Sequence, residues 1–408
     1  MQLLKVDDLE MARSKLKERF GQQLIKCEAV PVEESLGHIV AEDVYCEIMI
    51  PQFRRSTVDG YAVVASNTQG ASESIPVFLK MMEDVEIGEE PTVTIKDGQC
   101  SYVPTGGMLP EGANAMVMVE YSDEFTVGEM ALYKGVAVGA NVVQIGEDLE
   151  IGEVVVKKGA KVRGQEIGAL CAAGVKSVQV FKPLTIAIIS TGNELVSMEQ
   201  PLVDAKVKDV NTYAIAGLAE ELGMKVVHKT LVQDEENQIR SALEEAMELV
   251  DLVVISGGSS KGKKDMTEQL IDEVSSQGVF THGLALKPGK PTIMGWDEAS
   301  KSLFLGLPGH PVAAMMVFRL LMEWLQDDIY GCKRSYPTQA IMETNLAGAP
   351  GRQTCILVEL VYDSSYIARP ILGKSGLISI LSRAYGYVMI EKNTEGVKAG
   401  EIVNVWPV

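Results

Sequence analysis

Three carboxylates follow three apolar runs, and that spacing could serve metal-assisted phosphoryl chemistry. Glu194 comes after "LTIAIIS", Asp234 after "KVVHKTLV", and Asp265 beyond "DLVVISGG". Read as parallel strands, the runs bring their carboxyl ends to one crevice, where open α/β sheets bind ligands. Carboxylates on such a rim can hold Mg2+, a hard cation that takes oxygen ligands and shares phosphate oxygens; Glu194, Asp234 and Asp265 are all open to that role, with Glu194 and Asp265 the expected metal residues. Between them runs Gly257-Gly258-Ser259-Ser260, a glycine-rich turn whose backbone can come close to a phosphate at a helix N-terminus. Any one acidic residue is as readily explained as a solvated loop. Their coincidence on one rim carries the argument.

Two further groups could complete an anion site. Lys287 and Lys290 stand in "LALKPGKP", where an apolar run and two prolines pin them, so they can act as point charges on a phosphate or metal oxyanion. Pro308, Gly309 and Pro311 in "GLPGHPVAA" follow another apolar run and would shape a pocket wall. Asp59-Gly60 is a turn ahead of a strand. Thr105 and Glu120 are polar positions in a Gly/Pro-rich segment. The stretch Gly257–Lys263 also fits GxxxxGK, but Lys264 stands where a phosphate loop needs Ser or Thr for magnesium.

The elements that must position these residues are legible as a change of period along the chain. Residues 7–20 have Leu9, Ala12, Leu16 and Phe20 on one helical face. Residues 51–180 alternate strand-like runs with Gly and Pro. From residue 184 the pattern becomes strand, helix "TYAIAGLAEELG", strand, helix "NQIRSALEEAMELV", strand, helix "MTEQLIDEVSSQG", strand "SLFLGLPG" and helix "VAAMMVFRLLMEWL". That alternation predicts a doubly wound, Rossmann-like α/β unit. Residues 335–408 return to short strands. The fold class expected is multidomain α/β, with a β-rich inserted unit and a small β C-terminal unit.

Bulk properties narrow the function. A chain of 408 residues suggests roughly two to four domains. A net charge of −19 speaks against nucleic acid as a partner, since that requires a basic face. No apolar run reaches the roughly 20 residues of a membrane span, and the start lacks signal-peptide character, so a cytoplasmic protein with no membrane partner is expected. The six cysteines form no CxxC pair and the four histidines have no zinc spacing.

Five blocks in order, "STVDGYAV", "PTGGMLPEGANAMVMVE", "STGNEL", "SGGSSKGKKD" with "LALKPGKP", and "GLPGHPVAA", resemble the MoeA family of molybdopterin molybdenumtransferases, which is related to the gephyrin E domain. The C-terminal "GKSGLISILSRAYGYVMI" is similar to the family's last domain, so the resemblance spans essentially the whole chain. It implies a discontinuous N-terminal domain of residues 1–50 and 141–180 and a β-rich insertion of 51–140. A molybdopterin-binding α/β domain of 181–330 and a β domain of 331–408 complete the chain. It implies a homodimer whose cleft takes Asp59 and Thr105 from the partner subunit, and other cofactor-assembly enzymes as further partners. The implied reaction uses adenylylated molybdopterin and molybdate with Mg2+, releases AMP, and places molybdenum on the dithiolene sulfurs. Asp59, Glu194, Asp234 and Asp265 would be its catalytic residues. Thr105, Gly257, Gly258, Ser259, Ser260, Lys287, Lys290, Pro308, Gly309 and Pro311 would bind substrate.

The chain departs from the family at several points. Val142–Ile145 replaces a basic stretch, Arg54 stands where an Asp is common, Lys261 replaces an apolar residue, and a lysine is missing near Gly283. These changes bear on anion binding and on molybdate versus tungstate. Two other readings compete. An adenylyltransferase of the same α/β fold would be about half this length, and a non-catalytic molybdopterin-binding scaffold would have no need of four cleft carboxylates. A nucleotide hydrolase built on Lys263 lacks its hydroxyl ligand.

Overall fold

The computed structural model describes residues 6–257, 264–332, 335–373 and 375–408, and at Lys264 and Asp265 the backbone only. Its centre is a six-stranded sheet. The strands are β1 (Thr185–Thr191), β2 (Lys225–Val232), β3 (Leu252–Gly257), β4 (Val279–His282), β5 (Ile293–Asp297) and β6 (Ser302–Leu307), and the spatial order is β2-β1-β3-β6-β5-β4. The first four in that order run parallel, while β5 is antiparallel to both β6 and β4. Helices α1 (Asn211–Glu221), α2 (Glu236–Met247), α3 (Lys264–Val274) and α4 (Pro311–Tyr330) cover both faces.

The continuous apolar runs follow from that double covering, because successive side chains leave a strand on opposite faces and here both faces are buried. Ile186, Ile188, Leu252, Val254, Leu303 and Leu305 pack on one side, with Ile215 of α1 and Val317 and Leu321 of α4. Ala187, Ile189, Val253, Ile255 and Phe304 pack on the other, with Ile239 and Leu243 of α2 and Leu270 and Ile271 of α3. Each fully buried side chain of this size contributes about 1.5–3 kcal/mol. The sheet edge β2 alternates between exposed and half-buried residues, as an uncovered edge strand does. The hairpin β4–β5 is the part that the strand–helix alternation did not predict. Its strands are short and mixed in polarity, and they enter as a return between α3 and β6.

The flanking units are β-rich. A sheet of Ala115–Met118, Gly60–Val63, Gln99–Val103, Val77–Asp84, Glu129–Leu132 and Ser122–Thr126 lies in that spatial order. Around its base, segments distant in sequence pair with one another: Cys27–Pro31 with Ser177–Phe181, Val44–Tyr45 with Val154–Val156, and Arg55–Ser56 with Val142–Val143. At the C-terminus, strand Gln353–Asp363 pairs with both Ser365–Pro370 and Gly386–Ile390, which closes a small barrel over Met342, Val358, Val388 and Val405. The helix Leu9–Phe20 lays Leu9, Ala12, Leu16 and Phe20 into the main core, as its period predicts. Among the described residues, no helix is long and apolar enough to cross a membrane.

Candidate functional site

The strand order reverses beside β1: one crossover leads from it to β2, and the next returns past it to β3. Ligands of open α/β sheets bind outside the carboxyl ends at such a switch point. Gly257 has φ +119°, and a Cβ on it would lie 2.0 Å from the Thr191 carbonyl oxygen, so only glycine fits.

Two of the expected carboxylates gather at this point. Thr191 Oγ1 donates to Asp234 Oδ1 at 2.5 Å, and the Asp234 N–H donates to Asn193 Oδ1 at 3.1 Å. The loop after β2 is thereby tied to the loop after β1. Glu194, one residue beyond Asn193, is exposed, and among the described residues no donor reaches its carboxylate. Its carbonyl accepts from Val207 N–H, which folds the 195–208 excursion back toward the sheet. Asp265 is the second residue of α3, which puts its backbone at the helix start that follows β3; its side chain, and Gly258, Ser259 and Ser260 entirely, lie outside the described residues. Among the described residues no cluster of three or more His, Cys, Asp or Glu is poised for a metal.

The other expected residues lie elsewhere. Asp59 and Thr105 meet each other in the inserted sheet, where Thr105 N–H donates to Asp59 Oδ1 at 2.7 Å; both are exposed. Lys287 and Lys290 are exposed on a loop after β4, at the far edge of the sheet from β1. That loop is fixed by neighbours away from the switch point: Leu286–Lys287 pairs with Gln353–Thr354, and Gly289 (φ +128°) is pressed against Val317. Lys287-Pro288 is a cis peptide. Pro308 and Pro311 are buried at the end of β6 and the start of α4. The first turn of α4 is covered by the C-terminal unit, since Val312 N–H donates to the Ser375 carbonyl and His310 Nδ1 lies 2.8 Å from Ser375 Oγ.

Sequence reasoning missed a polar network beneath the rim. Ser190 Oγ donates to Asp209 Oδ1 at 3.0 Å and lies 2.8 Å from Thr212 Oγ1, and Thr212 N–H donates to Asp209 Oδ1 at 3.1 Å. Next to it, Asn211 Nδ2 donates to Ser256 Oγ at 2.7 Å and to the Gly309 carbonyl at 2.9 Å. Asp209, Asn211, Thr212, Ser190 and Ser256 are all buried. Asn211 Oδ1 has no partner, and an unmet acceptor of this kind costs about 1–3 kcal/mol. The available signal was Asp209 three residues ahead of Thr212 at a helix start, which is the spacing of a capping acceptor.

A cavity of about 1230 Å3 opens at the opposite, amino end of the sheet, beside Ile39, Phe181, Lys225, Arg319 and Tyr330. It is remote from the expected carboxylates and glycine turns, so the switch point rather than this cavity is the candidate site.

Fold and rim together define a multidomain α/β protein whose candidate site lies at the carboxyl end of a doubly wound sheet. Residues 8–174 match the family described as "MoeA N-terminal region (domain I and II)", residues 187–327 "Probable molybdopterin binding domain", and residues 339–408 "MoeA C-terminal region (domain IV)". A Haemophilus influenzae relative named molybdopterin molybdenumtransferase is 30% identical over 405 residues, 98% of each chain. One of the same name from Staphylococcus aureus is 30% identical over 385 residues, covering 92% of this chain and 90% of that one. Two solved structures, titled molybdopterin biosynthesis moeA proteins of Pyrococcus horikosii and of Pyrococcus horikoshii OT3, are 35% and 29% identical. Their TM-scores are 0.84 and 0.83, each covers 99% of this chain, and the coverage of their own chains is 99% and 100%. The chain belongs to the MoeA family.

Proposed function

We propose that this chain is a molybdopterin molybdenumtransferase that acts on adenylylated molybdopterin and molybdate and releases AMP. The observation that carries the reading is the joining of the β1 and β2 loops at the switch point through Thr191, Asn193 and Asp234, beside a backbone turn at Gly257 that admits no side chain. Relatives of nearly full length that bear this enzyme's name support it.

Each residue then has a task. The backbone of Gly257, Gly258, Ser259 and Ser260 cradles the pterin or its phosphate at the start of α3. Pro308, Gly309 and Pro311 form the wall beside it. Asp234, aligned by Thr191, orients the attacking group. Glu194 and Asp265 offer an oxygen-only donor set that suits Mg2+, and the exposed, unengaged Glu194 carboxylate is compatible with that role. When bound, the cation would neutralise the pyrophosphate oxygens. Lys287 and Lys290 balance the charge of phosphate or oxyanion, and such transfers depend chiefly on positioning and charge. Asp59 and Thr105 sit in a different unit from the rim, which supports a homodimer in which the partner copy supplies them. The discontinuous domain of 1–50 and 141–180 then carries the 51–140 insertion toward the neighbour's 181–330 domain, with 331–408 at the other side. A cytoplasmic setting and contacts with other cofactor-assembly enzymes belong to the same proposal.

The test is AMP release from adenylylated molybdopterin with Mg2+ and molybdate, comparing the native protein with Asp265→Ala, alongside sedimentation of the native protein. Molybdate-dependent release that collapses in the variant supports the reading. A folded dimer that releases no AMP with molybdate or tungstate overturns it.

A further inference from the structure

We infer that Asn211 is the positioning residue that sets the distance between the two turns flanking the pterin pocket, a role that rests on the site proposed above. Three observations carry it. Its two amide hydrogens reach Ser256 Oγ, at the end of β3, and the Gly309 carbonyl, in the Pro308-Gly309 turn after β6. Those strands are neighbours in the sheet. Finally, Asn211 Oδ1 is buried and unpartnered. The amide cannot turn over to relieve that oxygen, because Oδ1 would then face the Gly309 carbonyl, another acceptor. Its orientation is therefore dictated by the tie and not by its own satisfaction.

The tie lies at the first turn of α1, next to Asp209 and Thr212, which are anchored to Ser190 of β1. One short segment, 209–212, thus holds the ends of β1, β3 and β6 in fixed relation. Asn211 lies beneath the rim and touches no reacting atom of the proposed transfer. Its effect passes through Gly257 and Gly309, whose backbone spacing decides whether a flat heterocycle and its phosphate fit between the two turns.

The role is specific to N–H donors, which gives a test that bulk packing would not mimic. The probe is molybdopterin itself, followed by pterin fluorescence on the full-length protein, with the thermal midpoint measured alongside. Asn211→Asp keeps the shape and removes the donor to Gly309. Its dissociation constant should rise about tenfold or more at pH 8 and recover partly at pH 5, where a protonated acid donates again. Ser256→Ala, which removes one of the two acceptors, should raise it less, about threefold. In the double variant the two effects should fall short of multiplying, because one tie is broken twice. Native-like binding by Asn211→Asp at pH 8 overturns the inference. So does a loss that is equal at both pH values while the native protein's own binding is unchanged. If the native protein fails to bind molybdopterin at all, the site reading fails instead, which separates the two.

Discussion

The two ends of one parallel sheet are built on opposite terms. At the amino end, polar groups are met several times over. Asp251 accepts from Thr185 N–H and Thr185 Oγ1 at 3.0 and 2.7 Å and from Lys26 at 3.1 Å, which also fastens the sheet to the segment leading into the N-terminal strands. Ser302 Oγ donates toward the Met247 and Val250 carbonyls. At the carboxyl end, an asparagine oxygen is left unmet, Gly257 holds a conformation that side chains avoid, and Glu194 projects without a partner among the described residues. The strands and register are the same; what differs is that the polar groups cited at one end are met by the fold itself and those at the other are not. Unmet polar groups at one end of a satisfied scaffold mark that end as the candidate site.

Breaking the open end should cost function, whether or not stability falls with it. Gly257→Ala carries the largest expected effect. Its Cβ would lie 2.0 Å from the Thr191 carbonyl oxygen at φ +119°, so the turn must move. A loss of about 3 kcal/mol in stability is expected, and a shift of roughly 1 Å at the cradle lowers AMP release by about 100-fold or more. Chemical denaturation and the release assay measure both. Asp234→Asn comes next. It keeps the contact from Thr191 but removes the charge, so AMP release should fall by about 100-fold with the thermal midpoint nearly unchanged. A variant that instead melts early would make Asp234 a structural anchor of the same kind as Asp251.

What could be read in the sequence follows the same division. The apolar runs of β1, β3 and β6 announce themselves because both faces are buried, and the helices because Ile239, Leu243 and Ala246 recur at helical spacing. The loop carboxylates Glu194 and Asp234 were legible because strand ends are countable. The hairpin β4–β5 was not, since an antiparallel return leaves no periodic trace distinct from a loop. Asn211 and Ser256 were hidden for another reason. A buried amide bridging residues 45 and 98 positions away has no local signature, and only the fold brings Gly309 to it. Asp59 and Thr105 were recognisable as a pair only through family resemblance; their shared hydrogen bond is a fact of the inserted sheet.

Breaking the satisfied end should do the reverse. Asp251→Ala leaves Thr185 N–H and Oγ1 without their acceptor and frees Lys26. About 2 kcal/mol of stability should go, read as a fall of roughly 4–8 °C in the thermal midpoint, with molybdopterin binding intact. A variant of unchanged midpoint and weakened binding would erase the contrast between the ends.

The smallest effect is confined to acid. Asp297 closes β5, also at the amino end, and is buried. Burial alone would raise its carboxyl, but N–H donors from Ser300 and Ser276 and the Ser300 hydroxyl outweigh it and hold the group down at about 2. Because the folded value lies below the unfolded one, about 3.9, this carboxylate stabilises the fold at every pH above the unfolded value. That contribution drains away as pH falls from about 4 toward about 2, where the folded protein must also take up the proton. Asp297→Asn should therefore be less stable than the native protein at pH 7, and the gap between them should narrow across that window in equilibrium unfolding. A gap that stays constant from pH 7 to pH 2 would mean that the N–H donors at this end bind an amide oxygen as well as a carboxylate, and that its stability does not draw on charge.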